Sequence, residues 1–327
     1  MEKFDSIDKQ LVYYLHRNAR LPFSELAKRV HLSKQAVKRR VERLENQGVI
    51  RGYITLIDEA KLGFGEYDLW LQFGEITDKE KEKLIKFVEG SLDTYGATAY
   101  SLRWDLAVGI HARNINEFDS IWTNNLFPMF APYLREYQIS ILTKLSVFPK
   151  KYLMKETKGK VEDAFVSLVL MDKVELDEKD KAILKVIDQN SRQHIYEIAE
   201  KVGCSEKTVR EKIKKLEKIR IITGYRALID PRKLGYSQFE LFLKLKNSGK
   251  EEEKKFYGFC QQHPNIAIYM KCIGKWDLDI VIETETIDEF QDIVSTFRNK
   301  FSDYILGYDF ALNKGDYKFS YYPKRLG

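Results

Sequence analysis

Cysteine and proline are scarce in this sequence, 3 and 7 of 327 residues. Cys204, Cys260 and Cys272 are odd in number and in no C-x-x-C spacing, which argues against a disulfide framework or a thiolate metal cage. Histidine is as sparse: His16, His31, His111, His194 and His263 form no H-E-x-x-H or similar pair. No metal site, resident cofactor or catalytic set is expected. No stretch approaches the roughly 18 apolar residues needed to cross a bilayer, and Met1-Glu2-Lys3-Phe4-Asp5 lacks the apolar core of a signal peptide. Secretion and membrane insertion are disfavoured, and the expected location is the cytoplasm. With 44% hydrophobic and 32% charged residues the composition is that of a soluble globular chain, long enough for several domains.

What the sequence does have is repetition. Shifting the numbering by 172 aligns Asp5 to Phe64 with Asp177 to Tyr236 without a gap. Asp5/Asp177, Asp8/Asp180, Ala27/Ala199, Ser33/Ser205 and Leu44/Leu216 are shared, and Leu56-Ile57-Asp58 recurs as Leu228-Ile229-Asp230. Further on, Arg103-Trp104-Asp105-Leu106 is echoed by Lys275-Trp276-Asp277-Leu278. This is a tandem duplication of one long unit, not a solenoid of short repeats.

Each unit begins with three helical patterns. Asp5 or Asp177 caps the first; Leu26, Ala27 and Val30 (Ile198, Ala199, Val202) mark a short second; Ser33 or Ser205 caps a third with one apolar stripe, Val37, Val41 and Leu44 (Val209, Ile213, Leu216). Two short helices joined by a tight turn form a helix-turn-helix, and Val49 to Ile54 (Ile221 to Arg226) supplies a β wing. The rest of each unit reads strand, helix, hairpin, helix, strand. The pieces are strands around Leu69 to Phe73 and Leu241 to Leu245, helices at 78–89 and 251–261, hairpins, helices at 115–126 and 287–301, and last strands near 137–145 and 305–312. That order, βαββαβ, is ferredoxin-like. The expected fold is therefore α+β: a winged helix-turn-helix at 1–62, a ferredoxin-like domain at 63–153, a linker at 154–173, a second winged helix-turn-helix at 174–234 and a second ferredoxin-like domain at 235–327. The apolar run Phe165 to Met171 has no counterpart before Asp5 and reads as a strand.

Positive charge is concentrated. Residues 1–61 carry 13 Lys+Arg against 8 Asp+Glu, and residues 174–236 carry 15 against 11; with a whole-chain charge of +6, the remainder is −3. An anionic partner belongs on the helical modules, and double-stranded DNA fits them. The third helix sets Gln35, Arg39 and Arg43 opposite its apolar stripe with Lys34, Lys38 and Arg40 on the flanks; Gln35 and Arg39 are expected to read base edges, Lys38 and Arg40 to neutralise phosphates. The second copy offers Lys207, Arg210, Lys214 and Lys215, a basic face of different chemistry that should read different bases. The ordinary alternative is a solvated helix face.

These residues carry a family resemblance. Asp5 with Asp8, Glu25-Leu26-Ala27-Lys28-Arg29-Val30, Ser33 with Val37, and Gly48-Val49-Ile50-Arg51-Gly52-Tyr53 resemble the Lrp/AsnC (feast/famine) transcription regulators, as do Leu176 to Asp180, Glu197 to Gly203 and Gly224-Tyr225 in the second copy. The resemblance implies an N-terminal winged helix-turn-helix for DNA and a ferredoxin-like domain for dimerisation and for sensing a small effector, commonly an amino acid, near the turn between its second and third strands. There Gly274, Trp276 and Asp277 match the family pattern and are the effector-site candidates, whereas the first copy has Leu102 in place of the glycine. A capped hairpin turn with its aromatic in the core is the competing account of the Trp-Asp pairs. Two further departures concern backbone freedom: His31 stands where the second copy has Gly203, and Arg220 where the first has Gly48.

The function expected is a sequence-specific DNA-binding regulator in which one chain imitates a family dimer, with an imperfect palindrome as operator and further homo-oligomerisation. Pairing of the two ferredoxin-like domains within one chain or between chains stays open. Two alternatives are a siroheme-decarboxylase-like enzyme, which uses similar units in pairs, and an adaptor on the transcription machinery. The sheet domains supply only His111 and His263 toward a tetrapyrrole pocket, so no enzymatic activity is assigned.

Overall fold

The computed structural model describes residues 4–154, 165–168, 173–246 and 249–326, the backbone alone for 165–168. Most of the expected 154–173 linker, and the end of the run to Met171, lie outside the described residues. In the first half α1 (Ser6–Arg17), α2 (Phe23–Val30) and α3 (Lys34–Asn46) lead into β1 (Ile50–Ile57); then follow β2 (Gly65–Phe73), α4 (Asp78–Gly90), β3 (Thr94–Leu102) and β4 (Leu106–Ala112). α5 (Ile115–Ser120) continues through a π-helical stretch, Ile121–Leu126, into α6 (Phe127–Phe130), and β5 (Leu134–Val147) and β6 (Phe165–Leu168) close the half. The second half comprises α7 (Glu178–Gln189), α8 (Ile195–Val202), α9 (Glu206–Lys218), β7 (Ile222–Ile229), β8 (Ser237–Leu245), α10 (Lys250–Gln262), β9 (Ile266–Gly274), β10 (Leu278–Thr284), α11 (Ile287–Lys300) and β11 (Ile305–Phe319).

Two joints, made of three strand pairings, connect the halves. β1 and β7 form an antiparallel ribbon in which Ile54 faces Arg226, its own counterpart 172 residues on. A pseudo-two-fold axis therefore passes between these two residues. The same symmetry appears in the flanking bonds: the Ala19 amide donates to the Tyr225 carbonyl (2.9 Å) and the Ser191 amide to the Tyr53 carbonyl (2.8 Å).

The second joint is a closed ring. Each ferredoxin-like sheet has its last strand beside its first, β5 on β2 and β11 on β8. Both last strands then run on past their own sheet. The far end of β5 pairs with β9 (Ser140 with Gly274) and the far end of β11 pairs with β3 (Ala311 with Leu102). Eight strands thereby close in the order β2-β4-β3-β11-β8-β10-β9-β5, with β5 returning to β2 and β6 lying beside its end. Closure removes the sheet edges that would otherwise be left unpaired. The two ferredoxin-like domains thus pair within one chain.

Period-two alternation puts the two sides of this barrel to different uses. Leu69, Leu71, Val108 and Ile110 pack outward under α4 and α5, and Leu241, Leu243, Ile280 and Ile282 under α10 and α11. The alternate residues point inward. At one end of the interior Trp70, Tyr100, Trp104, Phe242 and Trp276 form an aromatic plug, with the Trp70 and Phe242 rings 4.7 Å apart and edge to face.

The helical modules exchange strands. The core of α1 to α3 includes Ala227, Ile229, Leu234 and Tyr236 from the second half, and that of α7 to α9 includes Leu56, Ile57, Leu62 and Phe64 from the first. Each winged helix is completed by the chain of the other. Boundaries drawn at 62 and 234 fall inside these exchanged segments.

Candidate DNA-binding interface

The helix-turn-helix geometry is built by caps. Asp5 and Asp8 form a reciprocal capping box at the start of α1, Asp177 and Asp180 repeat it on α7, and Ser33 Oγ and Ser205 Oγ accept from the backbone amides of Ala36 (3.2 Å) and Thr208 (3.1 Å). The turn between α2 and α3 is left-handed at His31 (φ 54°), and that between α8 and α9 at Gly203 (φ 70°). Both turns are therefore left-handed, and the first copy carries that conformation on a residue with a side chain.

Behind the caps sits an ionic brace that the sequence reading did not identify. Arg40 Nη1 donates to Asp5 Oδ2 and Asp8 Oδ1, both at 2.8 Å, and Arg43 Nη2 to Asp8 Oδ2 at 2.5 Å. In the second copy Lys212 Nζ donates to Asp177 (2.6 Å) and Asp180 (2.9 Å), and Lys215 Nζ to Asp180 (2.8 Å). Asp8 and Asp180 are fully buried, so each carboxylate requires these donors. Against desolvation, the Asp8 backbone amide and then the Arg40 guanidinium hold the Asp5 carboxyl below the usual range, and Lys212 with the Asp180 amide does the same for Asp177. Arg40, Arg43 and Lys215, expected on the groove face, thus have their charged ends turned to α1 or α7, where they fix the recognition helix to its neighbour.

The remaining candidates face solvent. Lys34, Gln35, Lys38 and Arg39 are exposed along α3, and Lys207, Arg210 and Lys214 along α9. Lys38 lies 3.6 Å from Glu42, and Arg210 donates to Glu206 at 3.1 Å, both exposed pairs one helical turn apart and worth little in water. Among the described residues Arg39 has no ion pair, so its guanidinium is available to a base edge or a phosphate. The two faces are chemically unlike, Gln35 and Arg39 against Lys207 and Glu211.

An AsnC-type helix-turn-helix domain model matches residues 4–45 and 176–217, one copy in each half. The chain is 31% identical over 127 residues to the HTH-type transcriptional regulator FL11 of Pyrococcus horikoshii, covering 38% of this chain and 83% of that protein. It is likewise 31% identical over 123 residues to the regulatory protein AsnC of Haemophilus influenzae, 37% of this chain and 80% of the relative. The chain belongs to the Lrp/AsnC family. As a family member it is a helix-turn-helix DNA-binding transcriptional regulator, with two such modules in one chain. At the level of fold, the crystal structure of the siroheme decarboxylase NirDL overlays 96% of the chain and 93% of its own length with a TM-score of 0.60 at 13% identity. Among the described residues no helix is long and apolar enough to cross a membrane.

The effector-site candidates of this Lrp/AsnC chain lie at the plugged end of the barrel. Trp276 is buried in the aromatic plug, as is Trp104. Asp277 accepts from the Leu245 amide (2.7 Å) and Lys244 Nζ (3.0 Å), and Asp105 accepts from the Phe73 amide (3.0 Å) and Lys81 Nζ (3.2 Å). Each Trp-Asp pair buries its ring in the plug and ties its hairpin turn to the end of the adjacent first strand, β2 or β8. Of the two uses a glycine has here, positive φ falls on Leu102 (81°) in the first copy, and close approach on Gly274, where a Cβ would stand 2.6 Å from the Ile139 carbonyl oxygen.

Proposed function

We propose that this regulator reads duplex DNA as a fused pair, with α3 and α9 entering successive major grooves of one operator. The observation that carries this is the ribbon register: Ile54 opposite Arg226 relates the two helix-turn-helix modules by a pseudo-two-fold axis, the symmetry that a palindromic duplex presents to a dimer. Because α3 and α9 expose different side chains, the two half-sites differ in sequence. Covalent linkage and exchanged strands hold both readers at a fixed separation, so the second contact is intramolecular. Selection of genomic fragments by the purified chain, followed by titration in salt, tests this. A two-part motif with half-sites about one helical turn or a multiple apart is expected; enrichment of a single half-site, or none, overturns the paired reading.

An effector is part of the same proposal. A small molecule such as an amino acid at Gly274, Trp276 and Asp277 would have to displace Lys244 from Asp277, so a change in DNA affinity that Asp277→Asn abolishes is the expected signature. Further self-association is supported by the exposed apolar side chains Leu102, Ile273, Leu306 and Tyr308, and light-scattering mass of the full chain measures it.

We assign no enzymatic activity. The fold likeness to a siroheme decarboxylase raises the tetrapyrrole alternative, but the interior cavity described below is about 230 Å³, under the roughly 300–1,000 Å³ of pockets for drug-sized ligands. Its walls are rich in carboxyl groups, which disfavour a polyanionic macrocycle. Of the two histidines expected near such a pocket, His111 is buried and pushed down to about 3 by desolvation, and His263 is shifted down for the same reason. A Soret band on the purified protein would reverse this assignment.

A further inference from the structure

Between the aromatic plug and the β1–β7 ribbon the barrel encloses a cavity of about 230 Å³. Trp70 and Tyr100 form its floor, and Ile54, Leu56, Arg226 and Leu228 of the ribbon its roof. It exceeds the roughly 150 Å³ that admits a benzene-sized guest.

The walls are acidic and incompletely satisfied. Tyr95 Oη donates to Asp68 Oδ1 (2.8 Å) and Tyr100 Oη to Glu240 Oε2 (2.6 Å); Asp68 and Glu240 are duplication counterparts on β2 and β8. Glu66, two residues before Asp68, is hydrogen-bonded to Glu59 yet keeps Oε1 without a partner at 4% exposure. Behind the wall on β10, Asp279 does not line the cavity but is equally buried near Glu240 and Asp68, and its Oδ1 is unpartnered among the described residues. Asp316 on β11 is already satisfied by Thr98, Asn313 and Arg51.

The cations around the cavity do not balance these groups. Lys150 Nζ is taken by Glu283 at 2.5 Å, His16 is held neutral by burial beside Arg226 and Lys150, and Arg226 stands at the roof, where Nη2 donates to the Val147 carbonyl (3.0 Å). Desolvation raises Asp68 to about 6 and Glu240 to about 8, and lifts Glu66 and Asp279 well above their ordinary range, so at neutral pH Glu240 keeps its proton while Asp68 is largely ionised.

We propose that this cavity binds a small organic monoamine, its ammonium group seated among Glu66, Asp68 and Glu240 and over the faces of Trp70 and Tyr100. An ammonium group supplies a donor to Glu66 Oε1, which lacks one, further donors to the Asp68 and Glu240 carboxyls, and an attractive charge for the two rings. Arg226 at the opposite end repels a second ammonium, which selects a monoamine over a diamine. The site's roof is the ribbon that carries both helix-turn-helix modules, so occupancy bears directly on their spacing. The inference does not depend on the operator reading, because binding is measured without DNA.

Isothermal titration calorimetry of the full chain with propylamine, 1,4-diaminobutane and succinate tests it. Propylamine is expected to bind more tightly than the diamine, and succinate not at all. Ionisation of the carboxyls on binding releases protons, so propylamine affinity rises from pH 6 to pH 8, by up to about tenfold per pH unit for each proton released, and the heat differs between buffers of different ionisation enthalpy. Asp68→Asn with Glu240→Gln replaces two cavity carboxyls by neutral isosteres and is expected to weaken propylamine at least tenfold, with unchanged far-UV circular dichroism. Absence of propylamine binding to the wild type, binding without proton release, undiminished binding to the folded variant, or preference for the diamine or succinate overturns the proposal.

Discussion

His31 and Gly203 close the same turn in the two halves, and only one is free of a Cβ penalty. A left-handed conformation costs an L-residue roughly 1–2 kcal/mol, part of which glycine returns as unfolded-state entropy. His31 is exposed, so His31→Gly is expected to stabilise the chain by about 0.5–1 kcal/mol and Gly203→His to destabilise it by about as much. Urea midpoints measure both; a midpoint lowered by His31→Gly would mean that the imidazole makes contacts outweighing the backbone term. The turn was legible as a turn in the sequence. Which copy carried strain at the sheet hairpins was not: a glycine serves positive φ or close approach alike, and the structure has positive φ at Leu102 and at Gly274 an approach to Ile139 across a strand pairing between the halves.

The buried carboxyls belong to the same scale. Glu240 in the folded chain titrates at about 8, above the ordinary glutamate value near 4.3 in the unfolded chain. Between those values the folded state binds more protons, so this group's contribution is full below the unfolded value and is lost as pH rises toward 8. Glu240→Gln is therefore expected to raise stability relative to the wild type at pH 8 and to lose that advantage near pH 4.5. Thermal unfolding at the two pH values measures it, and an equal effect at both would show that Glu240 does not hold a proton.

Among the elements, the recognition helices are set by the aspartates of the first helix. The capping boxes could be read from Asp5-x-x-Asp8 and Asp177-x-x-Asp180, but the brace joins residues 32 and 35 positions apart in the chain and has no local signature. Arg40→Ala leaves buried Asp8 with Arg43 as its remaining cation, at an expected cost of about 1–3 kcal/mol. Lys38→Ala should leave the melting temperature unchanged and lower the salt dependence of DNA binding by about one phosphate contact. Binding isotherms at several salt concentrations with parallel melts separate the two; a lowered salt slope for Arg40→Ala without loss of stability would return Arg40 to the groove face. The long last strands repeat the lesson. Tyr137 to Ile141 and Ile305 to Leu312 meet their own sheets, and the period-two pattern of the first runs on through Leu145 onto β9 of the other half. The extension of the second strand through Asn313-Lys314-Gly315-Asp316 is polar, and its partner, β3, lies in the other half.

For the molecule as a whole, the architecture of each half was open to reading because caps, apolar stripes and alternation are local. The exchange between halves was not, since a duplicated sequence presents the same surfaces whether they meet in one chain or two. The ring order and the Ile54–Arg226 register decide it. A chain ending at Met154 would expose the strand edges and helical cores that the second half covers, so it is expected to pair with a second copy of itself and to be unstable when diluted, whereas the full chain keeps one set of stabilities at all concentrations. Sedimentation and melting across a dilution series compare them; a stable monomer of the half would contradict the exchanged cores.

A regulator assembled from separate identical subunits shares its dimerising edges with every paralogue in the same cell, and mixed pairs follow from mass action. In this chain β5 and β11 already occupy those positions on β9 and β3. With those edges filled from within, exchange of halves between molecules would require opening the barrel, and the two unlike readers stay together in a fixed one-to-one ratio.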